Sequence, residues 1–106
     1  MPKRKTTNAL EILDRRYFQT KERQAELEEA RASAEIARRI YELRQEAGLT
    51  QAQLARLVGT SRTVISRLED DDYSGHSLGM LRRIAAALDK RVEIRFVPKG
   101  KKLRSA

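Results

Sequence analysis

Gly48-Leu49-Thr50-Gln51-Ala52-Gln53-Leu54-Ala55-Arg56-Leu57-Val58-Gly59-Thr60-Ser61-Arg62-Thr63-Val64-Ile65-Ser66-Arg67-Leu68-Glu69 is the stretch whose reading decides the fold. Thr50 stands before a polar first turn, where its hydroxyl can accept a hydrogen bond from a helical amide that has no partner of its own. A helix is therefore expected from Gln51 to Val58, burying Leu54, Ala55 and Val58. Gly59 interrupts it. Ser61 caps the next helix, expected through Leu68, with Val64, Ile65 and Leu68 as its apolar positions. Ala55 is small where the two helices approach most closely, and Gly59 takes the backbone angle of the turn.

Two short helices joined by a Gly-containing turn are the layout of a helix-turn-helix. Anchoring Val64, Ile65 and Leu68 in the core leaves Arg62, Thr63, Ser66 and Arg67 pointing outward along one face. Arginine can bond both acceptors on a guanine edge, and threonine can contact a thymine methyl or hydrogen-bond a base. Exposed Arg, Thr and Arg beside a fixed turn have no packing rationale. They are the candidate base-reading residues.

Upstream, helical patterning continues. From Ala34, the positions Ile36, Ile40, Leu43 and Ala47 are expected to line one face, and Gly48 sits where a left-handed helix end is favoured. Leu10, Leu13 and Tyr17, with Ile12 beside them, recur at spacings of three and four, which predicts a short amphipathic helix over 9–18. Thr20 can cap a second helix over Lys21 to Arg31, rich in Glu, Arg and Ala, with Leu27 its only large apolar residue. Such a segment has little to bury in its own chain. It is either a solvated arm or one that gains contacts with a partner. Tyr17 and Phe18 read as a local core pair before they read as a partner anchor.

Downstream, Glu69 is followed by an acidic loop, Asp70-Asp71-Asp72-Tyr73-Ser74-Gly75-His76. Ser77 caps a helix expected to run to about Leu88, with Leu78, Leu81, Ile84, Ala85 and Leu88 facing inward. The period then changes: Arg91-Val92-Glu93-Ile94-Arg95-Phe96-Val97 alternates polar and apolar, the signature of a half-buried strand, and Pro98 ends it. A lone strand leaves its backbone groups unpaired. It is expected to pair with a second copy of itself, with an N-terminal segment, or with the sheet edge of a partner.

The chain is 106 residues long, the size of one domain with a tail or arm, with a net charge of +8. Of that excess, residues 91–106 hold 6 basic and 1 acidic side chains, and residues 34–90 are nearly balanced. Any nucleic-acid surface in the middle of the chain must therefore come from arrangement and not from bulk charge. The tail, with Lys99, Lys101, Lys102 and Arg104, is either a salt-sensitive contact to DNA or a solubilising end. Zero Cys removes disulfides, thiol nucleophiles and thiolate metal sites together. His76 is the only histidine and has no neighbours at ligand spacing, so it reads as a loop or capping residue. No catalytic constellation, metal site or cofactor-binding loop is expected. No run approaches the length of a membrane span, and the basic start is not followed by an apolar stretch, so a cytoplasmic protein is expected.

The string G-L-T-Q-x-x-L-A-x-x-x-G-x-S-x-x-x-I-S-R-L-E resembles the Xre/Cro family of helix-turn-helix proteins, the phage-repressor type, over roughly residues 34–90. The resemblance implies that the amino end of the second helix reads bases through Arg62, Thr63, Ser66 and Arg67. It implies that Gln51 and Ser61 touch phosphate, with Arg56 and Thr60 beside them. It also implies a buried structural ion pair between Arg44 and Glu69. One departure is that Asp70, Asp71 and Asp72 stand where many members of the family have Gly and neutral or basic residues. They either repel DNA, meet a basic partner, or complement the dipole of the following helix.

The flanks look like those of HigA-type antitoxins: a helical N-terminal extension with an aromatic pair, a Ser-Leu-x-x-Leu helix after the loop, and a final strand ending in Pro. That likeness implies a repressor of its own operon that also neutralises a small basic RelE/ParE-like toxin. The candidate partner-binding residues are then Leu10, Leu13, Tyr17, Phe18, Ile94 and Phe96. The alternatives are a stand-alone Xre-type or phage-type regulator, or a protein-interaction module with weak DNA binding.

The expected fold is all-α, a phage-repressor-like bundle of four to five helices. Residues 1–33 form a helical arm, residues 34–90 the DNA-binding domain, and residues 91–106 a short strand and basic tail. A homodimer on a double-stranded operator is expected, from the function and from the orphan strand.

Overall fold

Between Lys3 and Ala47 the chain contains neither Gly nor Pro, and helix α1 runs unbroken over Pro2–Glu46. The computed structural model describes residues 2–98, with side chains described from residue 9 onward. Three segments are expected from the sequence, with breaks near residues 20 and 32, and the structure joins them into one helix. A residue that can cap does not make a helix end where nothing interrupts the i to i−4 ladder: Thr20 lies inside α1, where every amide already has its partner. At about 1.5 Å per residue such a helix is about 67 Å long, and it accounts for the 70 Å longest dimension of the molecule.

Only the C-terminal part of α1 buries side chains against the other helices. Residues 9–32 are all exposed, whereas Ala37, Ile40 and Arg44 are buried and Ile36 and Leu43 half-buried. The inward face is thus rotated from the expected one: Ala37 is in, and Ala47 is out. Tyr17 and Phe18 meet edge to face at 5.8 Å, yet both are more than half exposed, so they form no local core. One helix alone has no second surface to bury them against.

Gly48, at φ +71°, ends α1. Its amide donates to Gln45 O and that of Leu49 to Arg44 O, the paired bonds of a left-handed helix terminus. Helices α2 (Gln51–Val58), α3 (Arg62–Leu68) and α4 (Leu78–Ala87) follow. α2 packs on both α3 and α4. Their shared core is Ile40, Leu54, Ala55, Val58, Ile65, Leu68 and Ile84, with Ile36, Leu49, Val64, Tyr73, Met80, Leu81, Ala87 and Leu88 packed around it. On α4, Ile84 and Ala85 are buried and Leu81 and Leu88 half-buried, but Leu78, expected inward, is exposed.

Among the described residues there is no strand. Residues 91–98 follow α4 without regular structure, because no other described segment offers a strand edge to pair with. The architecture is all-α, with four helices among the described residues. No described helix is long and apolar enough to cross a membrane. The basic tail, with Lys99, Lys101, Lys102 and Arg104, lies outside the described residues.

Candidate nucleic-acid interface

The helix-turn-helix is held at each of its corners by a bond that the local sequence sets up. Thr50 Oγ1 accepts from the amide of Gln53 at 3.1 Å, and the Thr50 amide donates back to Gln53 Oε1 at 2.8 Å, a reciprocal capping box at the start of α2. At its end Gly59, at φ +85°, turns the chain so that the amides of Gly59 and Thr60 both donate to Ala55 O. Ser61 Oγ accepts from the amide of Val64 at 3.2 Å and starts α3. Arg83 of α4 donates Nη2 to Val58 O at 3.0 Å and to Gly59 O at 3.1 Å. That pair of bonds ties the turn to the bundle and has no signal in the sequence, where nothing local links residues so far apart in the chain.

Behind α3 lies an ion pair between Arg44 of α1 and Glu69, the residue that ends α3. Arg44 Nε donates to Glu69 Oε2 at 2.6 Å and Nη2 to Oε1 at 2.9 Å, while Nη1 donates to Leu49 O at 2.8 Å. Both side chains are almost fully buried, and the Arg44 guanidinium also lies over the Tyr41 ring. The hydrogen bond to Glu69 holds the Arg44 pKa above its ordinary value, against the opposing effect of burial. The fork-to-fork geometry fixes the crossing of α1 and α3. Gln51 joins the pair through Nε2, which donates to Glu69 Oε1 at 3.1 Å and leaves its second N–H to donate elsewhere. His76 fastens the other side of the same terminus: Nε2 lies 2.7 Å from Leu68 O, while Nδ1 is buried without a hydrogen-bond partner among the described residues. The carbonyl can only accept, so Nε2 carries the proton. His76 also meets the Tyr73 ring edge-on at 5.1 Å.

With Ile65 and Leu68 buried, Arg62, Thr63, Ser66 and Arg67 are all exposed on α3. Their spacing of one, three and one places them on a single face of the helix. Of the other residues named from the sequence, Ser61 and Arg56 are exposed, and Gln51 and Thr60 half-buried. Ser61 uses its oxygen as acceptor in the cap, so its O–H remains able to donate to an anion. The structure does not bring Leu10, Leu13, Tyr17 or Phe18 to this region; they lie exposed on the free part of α1, and Ile94 and Phe96 are exposed beyond α4.

The acidic loop builds its own turn. Asp70 Oδ1 accepts from the amide of Asp72 at 2.9 Å, and Ser77, not an aspartate, caps α4 by accepting from Met80. Asp71 and Asp72 share the walls of one surface hollow with Glu26 and Glu29 of α1, so this loop lies alongside the long helix. Among the described residues no group of His, Cys, Asp or Glu is placed to hold a metal ion.

A helix-turn-helix family model matches residues 40–94, just over half of the chain. No curated protein matches it. The matched span runs from Ile40 at the core end of α1 through α2, α3 and α4, and so includes the caps of α2, α3 and α4 and the core from Ile40 onward. The chain belongs to the Xre-like helix-turn-helix family of DNA-binding regulators.

Proposed function

We propose that the protein is a sequence-specific transcriptional repressor that reads its operator with α3. The observation that carries this reading is the exposure of Arg62, Thr63, Ser66 and Arg67 on one face of a helix locked by caps, core and a buried ion pair. A side chain that reads a base edge must be held in register by something other than the DNA, and this scaffold does so. Arg62 and Arg67 supply bidentate donors to guanine, and Thr63 and Ser66 supply hydroxyls. Gln51, Arg56, Thr60 and Ser61 take the phosphate contacts that set orientation. Two copies of α3, one helical turn of DNA apart, bind a palindromic operator as a homodimer.

The free part of α1 favours a second role beside the first. Leu10, Ile12, Leu13, Tyr17, Phe18 and Leu27 stand exposed along the N-terminal part of α1. An arm of that kind fits an antitoxin that holds a small basic toxin and autoregulates its operon. The alternative, a regulator without a toxin, leaves these residues without a task.

Titrating the full chain against the DNA upstream of its own reading frame, with a scrambled duplex as control, tests the first role. A preference of at least about 10³ is expected. Arg62→Ala and Arg67→Ala should each cost about 1–3 kcal/mol on the specific duplex and little on the scrambled one. Equal affinity for both duplexes, lost together as salt rises, would sink the repressor reading and leave the arm as the main lead.

A further inference from the structure

The two ends of α3 are held from outside the helix-turn-helix in different ways. Its C-terminal end is fastened twice, by the Arg44–Glu69 ion pair and by the bond between His76 Nε2 and Leu68 O. Its middle is seated by Ile65, which is fully buried. Its N-terminal end carries Arg62 and Thr63 and follows the turn. Among the described residues, one side chain from outside α2, the turn and α3 bonds that turn. It is Arg83 of α4, whose Nη2 donates to Val58 O at 3.0 Å and to Gly59 O at 3.1 Å.

Those carbonyls close α2, where the helix has no amides left to offer them, and a cation suits the negative pole of a helix. Among the described residues Arg83 makes no ion pair, so no carboxylate draws it elsewhere. The guanidinium lies against the turn itself: a Cβ built on Gly59 would meet Nη2 at 3.5 Å. With one N–H for each carbonyl, Arg83 fixes the turn relative to α4 as a single bond would not.

We propose that Arg83 is a positioning residue for base reading, which sets Arg62 and Thr63 in register without touching DNA. The proposal rests on α3 being the reading helix. Side chains that read base edges must be held to within about 0.5 Å. Without Arg83, α3 stays clamped at Glu69 and seated at Ile65, and is free to tilt about them. Displacement is then largest at Arg62 and Thr63 and smallest at Arg67.

Titration of full-chain variants against the duplex upstream of the protein's own reading frame, with a scrambled duplex as control, tests this. Arg83→Met should weaken the upstream duplex about tenfold, the size of a lost base contact, and the scrambled one less than about twofold. The slope against salt should stay that of the wild type, because no phosphate contact is lost. A slope lower by about 1 would make Arg83 itself a phosphate contact and overturn the proposal. Arg83→Lys keeps a cationic donor and should bind the upstream duplex more tightly than Arg83→Met. A lysine variant no better than the methionine one overturns the proposal too.

A double-mutant cycle separates positioning from general loosening. Arg62→Ala should cost about fivefold less affinity in the Arg83→Met background than in the wild type, whereas Arg67→Ala should cost the same in both. Equal coupling to both arginines, or none to either, refutes the tilt. Arg83 is exposed and outside the core, so the variants should keep the helical circular dichroism of the wild type. If the methionine variant loses that signal, the same cycle is run with Arg83→Lys. A wild type without preference for the upstream duplex sinks the reading helix and this proposal together. A wild type with that preference, beside an Arg83→Met variant that keeps it in full, sinks the proposal alone.

Discussion

Arg44 and Glu69 are both nearly out of water, so each would be costly alone. Arg44→Met leaves the Glu69 carboxylate buried with Gln51 as its remaining side-chain donor, and is expected to cost about 3–5 kcal/mol in urea unfolding. Replacing both by apolar residues of similar volume should recover most of that loss, and a double variant no more stable than Arg44→Met would contradict this account. The Arg44 pKa is raised in the fold, so its contribution is fully present below the ordinary arginine range and fades only as pH rises through the raised value. Titration around neutrality therefore leaves the guanidinium's part untouched. A second position is Asp89, which sits at φ +60° just after α4, where its own amide and that of Lys90 donate back to Ala86 O and Ala85 O. A β-branched side chain tolerates that geometry poorly, so Asp89→Val should cost about 1–2 kcal/mol, while Asp89→Gly should not destabilise. Equal melting temperatures for the two variants would refute the strain argument.

At the scale of elements, the caps are legible because each is a dialogue among three or four consecutive residues: Thr50 with Gln53, Ser61 with Val64, Ser77 with Met80. Ser61 is proposed both to cap α3 and to meet phosphate, and substitution separates the two. Ser61→Ala should lose about 1 kcal/mol of stability. Ser61→Asp caps as well and suits the helix dipole, so it should keep stability yet weaken duplex binding by placing a charge against phosphate. A duplex affinity unmoved by Ser61→Asp would remove Ser61 from the interface. Helix α1 is misleading at the same scale for a different reason. Its apolar periodicity fades between residues 18 and 34, and the fading suggests breaks, but weak periodicity alone does not end a helix, and with neither Gly nor Pro between Lys3 and Ala47 the ladder continues through it. Since residues 9–32 bury nothing, removing residues 1–33 should leave the unfolding midpoint of the remaining domain within a few degrees, a change of about 1 kcal/mol or less. A collapse of the truncated chain would mean that the boundary at residue 34 is wrong.

For the whole molecule, charge and shape divide the work. The net charge of +8 favours DNA without selecting a sequence, and in the proposed reading the α3 face does the selecting. Operator affinity should fall linearly in log–log against salt, and Arg56→Ala should lower that slope by about 1 while weakening specific and scrambled duplexes alike. A slope unchanged by Arg56→Ala would exclude it as a phosphate contact. Along the N-terminal part of α1, Tyr17, Phe18 and their apolar neighbours are exposed, and in the proposed second role they are the surface offered to a partner.

The amino-acid sequence by itself determined the helix starts at Thr50, Ser61 and Ser77, the left-handed turns at Gly48 and Gly59, the core of α2 and α3, and which α3 residues face out. All of these depend on neighbours within one or two helical turns. Tertiary structure alone decided the rotation of α1 that buries Ala37 and exposes Ala47, the bonds from Arg83 to the turn carbonyls and from His76 to Leu68 O, and the lack of a ladder partner for residues 91–97 among the described residues. Apart from the His76 bond, which spans eight residues, each of these depends on how elements far apart in the chain cross. A helix can announce its own ends, but its sequence does not state the angle at which another helix will meet it, and a strand can exist only where a second edge is present to take its hydrogen bonds.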